Sequence, residues 1–191
     1  CNASIRDGVQ LSDARSCKFN HNDFEDLERL IQNSRPKTQD LTSIYIVTES
    51  VFSMNGDCPN LEELLRISDK YCCYLVVDEA HALGVFGSNG EGFVQMLGLQ
   101  DLIFARIVTF ENGLGCQGAA ILGSFELRDC LVNFIQSFKH TIGLSLRSVT
   151  AILTVYQHLE KEQQTITQLR RNIIHFNQEK KMLGLKQLFV H

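Results

Sequence analysis

Two short apolar runs with a helical stretch between them set most of what this chain can become. Ile44–Thr48 (IYIVT) and Tyr74–Val77 (YLVV) are too short for core helices and are bounded by polar residues, so both read as strands. Between them, residues 59–71 (PNLEELLRISDKY) carry apolar positions at helical spacing. Pro59 suits the first turn of that helix, and Glu62 and Glu63 complement its dipole. Strand, helix and strand at this separation make a βαβ unit, whose two strands run parallel. Further strands are expected at Phe104–Val108 and Ala119–Leu122. Near-continuous apolar runs point to strands covered on both faces, as in a mostly parallel sheet flanked by helices. The fold class is α/β.

Residues 23–33 place Phe24, Leu27, Leu30 and Ile31 at helical spacing behind a cap at Asn22 or Asp23. From Gly143 to Gly184 no Gly or Pro intervenes, so this span is expected to be two helices or one bent one. Its Glu160–Lys161 and Arg170–Arg171 charges are solvated faces. Residues 1–145 are expected to form part of one large domain, and 146–191 a helical segment leading toward a further one. The chain opens on Cys1 within sequence that already looks ordered, and reads as a fragment.

Charge excludes some functions. Eighteen Lys and Arg against 22 Asp and Glu leave a net charge of -4, and no basic run tracks a phosphate backbone, so nucleic acid is not the expected partner. No apolar stretch approaches the ~20 residues that span a bilayer. Seven scattered cysteines form no C-x-x-C and cannot all pair within the chain, which points to a reduced, cytoplasmic protein. Cys72 and Cys73 lead into a strand and are expected to be buried there.

In open α/β sheets, ligands sit beyond the carboxyl ends of the strands. Four polar clusters fall at such positions: Thr48-Glu49-Ser50 with Ser53, Asp78-Glu79-Ala80-His81, Thr109 with Glu111-Asn112, and Cys116-Gln117-Gly118. Polar residues cap strand ends in any case, but acid, imidazole and hydroxyl groups on three of them read as one convergent site. Asp-Glu-Ala-His also occurs in helicases, where a G-x-x-x-x-G-K-[ST] loop must precede it. No Gly-Lys dipeptide occurs in this chain.

The segment TESVFSMNGDCPNLEELLRISDKYCCYLVVDEAHALGVFGSNGEG, and then IVTFENGLGCQGAAILGS, resembles the α-oxoamine synthases. These are pyridoxal-phosphate enzymes of fold type I that condense an amino acid with an acyl-CoA and release CO2. The likeness runs from ASIRDGVQLSDA and FNHNDFEDLERL to the helical tail, and the wording sits nearest the branch that serves biotin synthesis. The resemblance implies that Asp78 pairs with the pyridine nitrogen of pyridoxal 5'-phosphate and that His81 donates to its phenolic oxygen. It places Ser53, in V-F-S-M-x-G-D, near that same oxygen. Thr109 matches a phosphate-binding hydroxyl, and Glu49 the edge of the substrate pocket. It also implies a dimer with the site between subunits.

The departures are as specific. The family's cofactor lysine lies in a T-F-G-K-A-L-G-type stretch, which reads Thr109-Phe110-Glu111-Asn112-Gly113-Leu114-Gly115 here. Asn112 thus stands at the lysine position, and a carboxamide can neither form the covalent link nor move the Cα proton. No lysine lies between Lys70 and Lys139 to substitute. Glu111 adds negative charge near the expected phosphate. Asn2 replaces the histidine of N-H-A-S that stacks on the ring. Where relatives read T-T-A-L-P-P, reaching the phosphate across the dimer, Thr141 keeps one hydroxyl and Ile142 loses the other. Gln117 is a milder change. Two readings follow: a synthase-like protein that is impaired or inactive, or a non-catalytic member that supports a related subunit in a homodimer or heterodimer.

Overall fold

A computed structural model describes residues 2–35, 43–161 and 163–185. Its elements in chain order are α1 (Ala3–Gln10), α2 (Phe24–Ser34), β1 (Tyr45–Glu49), α3 (Leu61–Lys70), β2 (Tyr74–Asp78), α4 (Phe93–Met96), β3 (Ala105–Thr109), β4 (Ala119–Gly123), α5 (Phe125–Phe134), α6 (Gln136–Lys139), α7 (Leu146–Lys161) and α8 (Gln163–Met182). The four strands form one sheet in the order β1-β2-β3-β4. The first three are parallel and β4 is antiparallel to β3.

Local chemistry accounts for the element ends. The Asp23 side chain accepts from the Asp26 amide, which selects Asp23 over Asn22 as the cap of α2; Asn22 adopts φ 53° instead. The α3 helix starts later than expected. The Asn60 side chain accepts from the Glu63 amide at 3.0 Å, so Asn60 is the cap and Pro59 lies before it rather than in the first turn. Cys72 also departs from expectation. It is exposed at φ 45°, in the turn that reverses the chain between α3 and β2, and only Cys73 is buried. The tail is helical on both sides of residue 162, in α7 and α8, and α7 lays Ile152, Val155 and Leu159 against Leu83, Val108 and Phe110.

Register shows which side of the sheet is filled. Ile46 pairs with Leu75, and Thr48 with Val77. The apolar members of this face join Leu27 and Ile31 of α2, Leu64 and Ile67 of α3, and Val94 in one core. The opposite face is not closed as the apolar runs suggested. Tyr45 is 53% exposed, Tyr74 42% and Ile121 47%, because none of the described helices packs over them. Tyr45 and Tyr74 instead stack on one another at 5.1 Å and meet Phe104 edge-on or tilted.

Leu64, 1% exposed at the centre of the helix–sheet contact, tests this packing. Leu64→Ala is expected to cost about 2–5 kcal/mol and Asn60→Ala about 1 kcal/mol, both read from chemical denaturation.

Candidate functional site

The site is built at the carboxyl edge of the parallel strands, where register puts three side chains on one face. Glu49 of β1 pairs with Asp78 of β2, Asp78 pairs with Ile107 of β3, and Thr109 lies two residues beyond Ile107. Side chains alternate along a strand, so Glu49, Asp78 and Thr109 share the face away from the helical core. The strand ends are themselves tied: the Ser50 amide donates to the Asp78 carbonyl at 2.8 Å, and the Glu79 amide to the Ile107 carbonyl at 2.8 Å.

Asp78 is half-buried, and its Oδ1 accepts from the Ala80 amide at 2.9 Å. Burial pushes the Asp78 carboxyl above the usual carboxylate range. The Ala80 amide opposes that shift, Glu49 adds to it, and His81 counters it. His81, three residues on, is half-buried in the same turn. Thr109 brings a buried hydroxyl oxygen that has no hydrogen-bond partner among the described residues, so it can hold a ligand oxygen.

Asn112 joins this group directly. Its Nδ2 donates to the Ala80 carbonyl at 2.9 Å. The bond exists because two loops meet backbone to backbone. A Cβ on Gly84, which has φ +81°, would lie 3.0 Å from the Gly113 carbonyl oxygen, and one on Gly113 would overlap the Leu83 carbonyl. The Phe110 amide donates to the Gly118 carbonyl at 3.0 Å and the Cys116 amide to the Phe110 carbonyl at 2.8 Å, folding the 110–118 loop back on itself. Cys116-Gln117-Gly118 therefore reaches the same edge, although β4 runs antiparallel.

Glu49 lines a small cavity beside Ser53 and is itself nearly buried. It is 3% exposed, with Oε1 accepting from the Asn2 amide at 2.9 Å and Oε2 from the Ser53 amide at 3.3 Å. A buried carboxylate needs such donors, and here they tie the start of α1 and the Ser53 loop to the end of β1. The Asn2 side chain accepts from the Ser4 amide and caps α1. Ser53 is exposed beside a cavity of about 60 Å3 lined by His21, Glu49 and Phe52. Its loop is clamped by Asp57, which meets His21 at 2.7 Å and Asn22 at 2.9 Å. Thr141 is exposed in the connection between α6 and α7, and is not hydrogen-bonded to this cluster among the described residues. A cavity of about 420 Å3, lined by Arg106, Val108, Leu122 and Tyr156, does not include Asp78, His81 or Asn112.

Sequence reasoning missed the buried partner of this turn. Glu79 is wholly buried and paired with Arg106, and its Oε1 accepts from the Val94 amide at 2.8 Å. The signal was a lone arginine inside an otherwise apolar strand, since a charge buried there requires an opposite one.

Residues 3–183 match the model of the aminotransferase class I and II family, and the chain belongs to that family. It is 35% identical over 182 residues to the 8-amino-7-oxononanoate synthase of Thermosipho melanesiensis, covering 95% of this chain and 46% of that protein. A serine palmitoyltransferase solved with pyridoxal phosphate superposes with a TM-score of 0.81 at 29% identity, over 90% of this chain and 42% of that one. The 8-amino-7-oxononanoate synthase of Francisella tularensis does so with a TM-score of 0.77 at 27% identity, over 94% and 50%. The chain thus spans about half the length of the relatives it matches, and its fold is that of fold-type-I pyridoxal-phosphate transferases. No helix among the described residues is long and apolar enough to cross a membrane.

An acid whose pKa is raised in the folded state holds its proton more tightly there than when unfolded. Stability therefore falls as pH rises from the ordinary value of 3.8 through the raised one. Asp78→Asn, uncharged throughout, is expected to melt at or above the unmodified chain at neutral pH, with the difference closing as pH falls toward 3.8. Gly113→Ala is expected to lower the melting midpoint and to free the 110–118 loop, seen as faster amide exchange there.

Proposed function

We propose that this chain is the central part of a pyridoxal-phosphate-dependent α-oxoamine-synthase-like protein, most similar to 8-amino-7-oxononanoate synthase of biotin synthesis, whose cofactor is held without a covalent link. The observation that carries the reading is the 2.9 Å bond from Asn112 to the Ala80 carbonyl, because it sets the lysine position against the turn that presents Asp78. Residues 1–145 are then part of the cofactor domain, and 146–191 lead toward a further domain.

The residues present fit the cofactor's polar groups. Thr109 offers a buried, unengaged hydroxyl to a phosphate oxygen, with Thr141 as the position that reaches it across a dimer. Asp78 supplies a carboxylate for a ring N–H, and His81 and Ser53 stand on the two loops beside it. Bound pyridoxal phosphate would supply a protonated ring that stabilises a carbanion at the Cα of an amino acid. Asp78 serves that role only when ionised, and its raised pKa means that the ring N–H must favour the charged form on binding. Glu49, engaged by two amides, acts here as a tie between loops.

The missing step follows from Asn112. A carboxamide nitrogen is not nucleophilic and takes no proton, and its bond to Ala80 turns it away from such work. Loss of a positioned general base costs about 10²–10⁴-fold in rate, so condensation of an amino acid with an acyl-CoA is impaired or absent in this chain. A partner-subunit role is the second reading. It is favoured by exposed apolar side chains on α8, where Ile173 is 44% and Ile174 56% exposed, a surface suited to a homodimer or a heterodimer with a related subunit.

Titration with pyridoxal phosphate, followed by visible absorbance, tests the reading on this chain and on Asn112→Lys. Reversible binding by the unmodified chain, and a borohydride-trappable link only in Asn112→Lys, are expected. A trappable link in the unmodified chain would overturn it and point to another lysine, Lys139 first.

A further inference from the structure

We propose that the Glu79–Arg106 ion pair is the positioning device of the site, aiming the Asp78–Ala80 turn from the far side of the sheet. Glu79 lies between the two residues that build the site's centre: Asp78, whose carboxylate takes the Ala80 amide, and Ala80, whose carbonyl takes Asn112. Its own side chain goes the other way. Oε2 receives both Nε of Arg106, at 2.8 Å, and Nη2, while Oε1 receives the Val94 amide. Arg106 Nη2 also donates to the Glu91 carbonyl at 3.2 Å. Glu79 is thus held by a strand residue and by the start of α4 together, and the backbone on either side of it cannot swivel. The fit is close: Gly92, at φ +99°, leaves room for the pair, and a Cβ there would stand 3.0 Å from Glu79 Oε2. A buried carboxylate with two guanidinium N–H groups converging on one oxygen and a backbone amide on the other is fixed in direction as well as distance.

Glu79 and Arg106 are positioning residues, since neither reaches the Asp78 face. Their reach to the cofactor rests on the reading above, but their hold on the turn does not. The test separates the two.

Replacing both partners by apolar residues, Glu79→Leu with Arg106→Met, removes the pair without leaving a buried charge, an exchange that often keeps a fold intact. Amide exchange in the cofactor-free chain is then compared at Ala80 and, as an internal control, at Val76 and Val77 of β2. About tenfold or greater acceleration at Ala80, with β2 unchanged, is expected, because local opening is read separately from global unfolding. Pyridoxal-phosphate affinity should fall together with the circular dichroism of the bound cofactor. Arg106→Lys, which keeps the charge but can make only one of the two bonds to Oε2, should show the same changes at smaller size, and it carries the test if the double variant does not fold. Unchanged exchange at Ala80 in the folded variants overturns the proposal. Accelerated exchange in a chain that never binds pyridoxal phosphate upholds it and refutes the cofactor reading instead.

Discussion

A carboxylate and a guanidinium sealed inside the sheet, Glu79 against Arg106, set the terms for much of what surrounds them. Two charges out of water are tolerable only when every donor and acceptor is met. The molecule meets them with the Val94 amide and the Glu91 carbonyl, and in doing so ties β2, β3 and the start of α4 into one unit. The same turn then presents Asp78 to the opposite face. One side of the sheet is spent on fixing geometry and the other on offering it. This division explains how a short turn can hold a carboxylate whose burial works against its charge.

The second constraint is the contact between the two loops that carry Asp78–His81 and Asn112. They meet through glycine backbones, Gly84 against Gly113, at a separation no side chain would allow. That approach places residue 112 within reach of the Ala80 carbonyl whatever its side chain is. Here it aims a carboxamide, which finds a backbone acceptor and stays on it.

Much of this was legible in the sequence, for identifiable reasons. The βαβ unit was readable because Ile46, Leu75 and Val77 bury one face while α3 repeats its apolar residues at helical spacing. The strand-end clusters were readable because parallel strands deliver their carboxyl ends to one edge, and Asp78, Thr109 and Asn112 did come to that edge. Side-chain direction was not readable. Glu49 and Glu79 look alike on paper, yet register turns one toward the site face and the other into the helical core, and both become internal ties. Cys72 was misjudged because a reversal at positive φ overrode its apolar character, and Pro59 because Asn60 offered the better cap. The open sheet face could not be foreseen from strand composition, since apolar runs say how strands could be covered and not what covers them.

The tie at Glu49 carries a consequence for how the molecule comes apart. Its buried carboxylate is answered by two amides, one from Asn2 at the head of α1 and one from Ser53. Fraying of the first turn would strip one of them and leave half of an anion unanswered beside Asp78. The end of β1 must then open to water. The helix α1 and the Ser53 loop are therefore parts of a single cooperative unit with the strand edge, and α1 works as a latch on it.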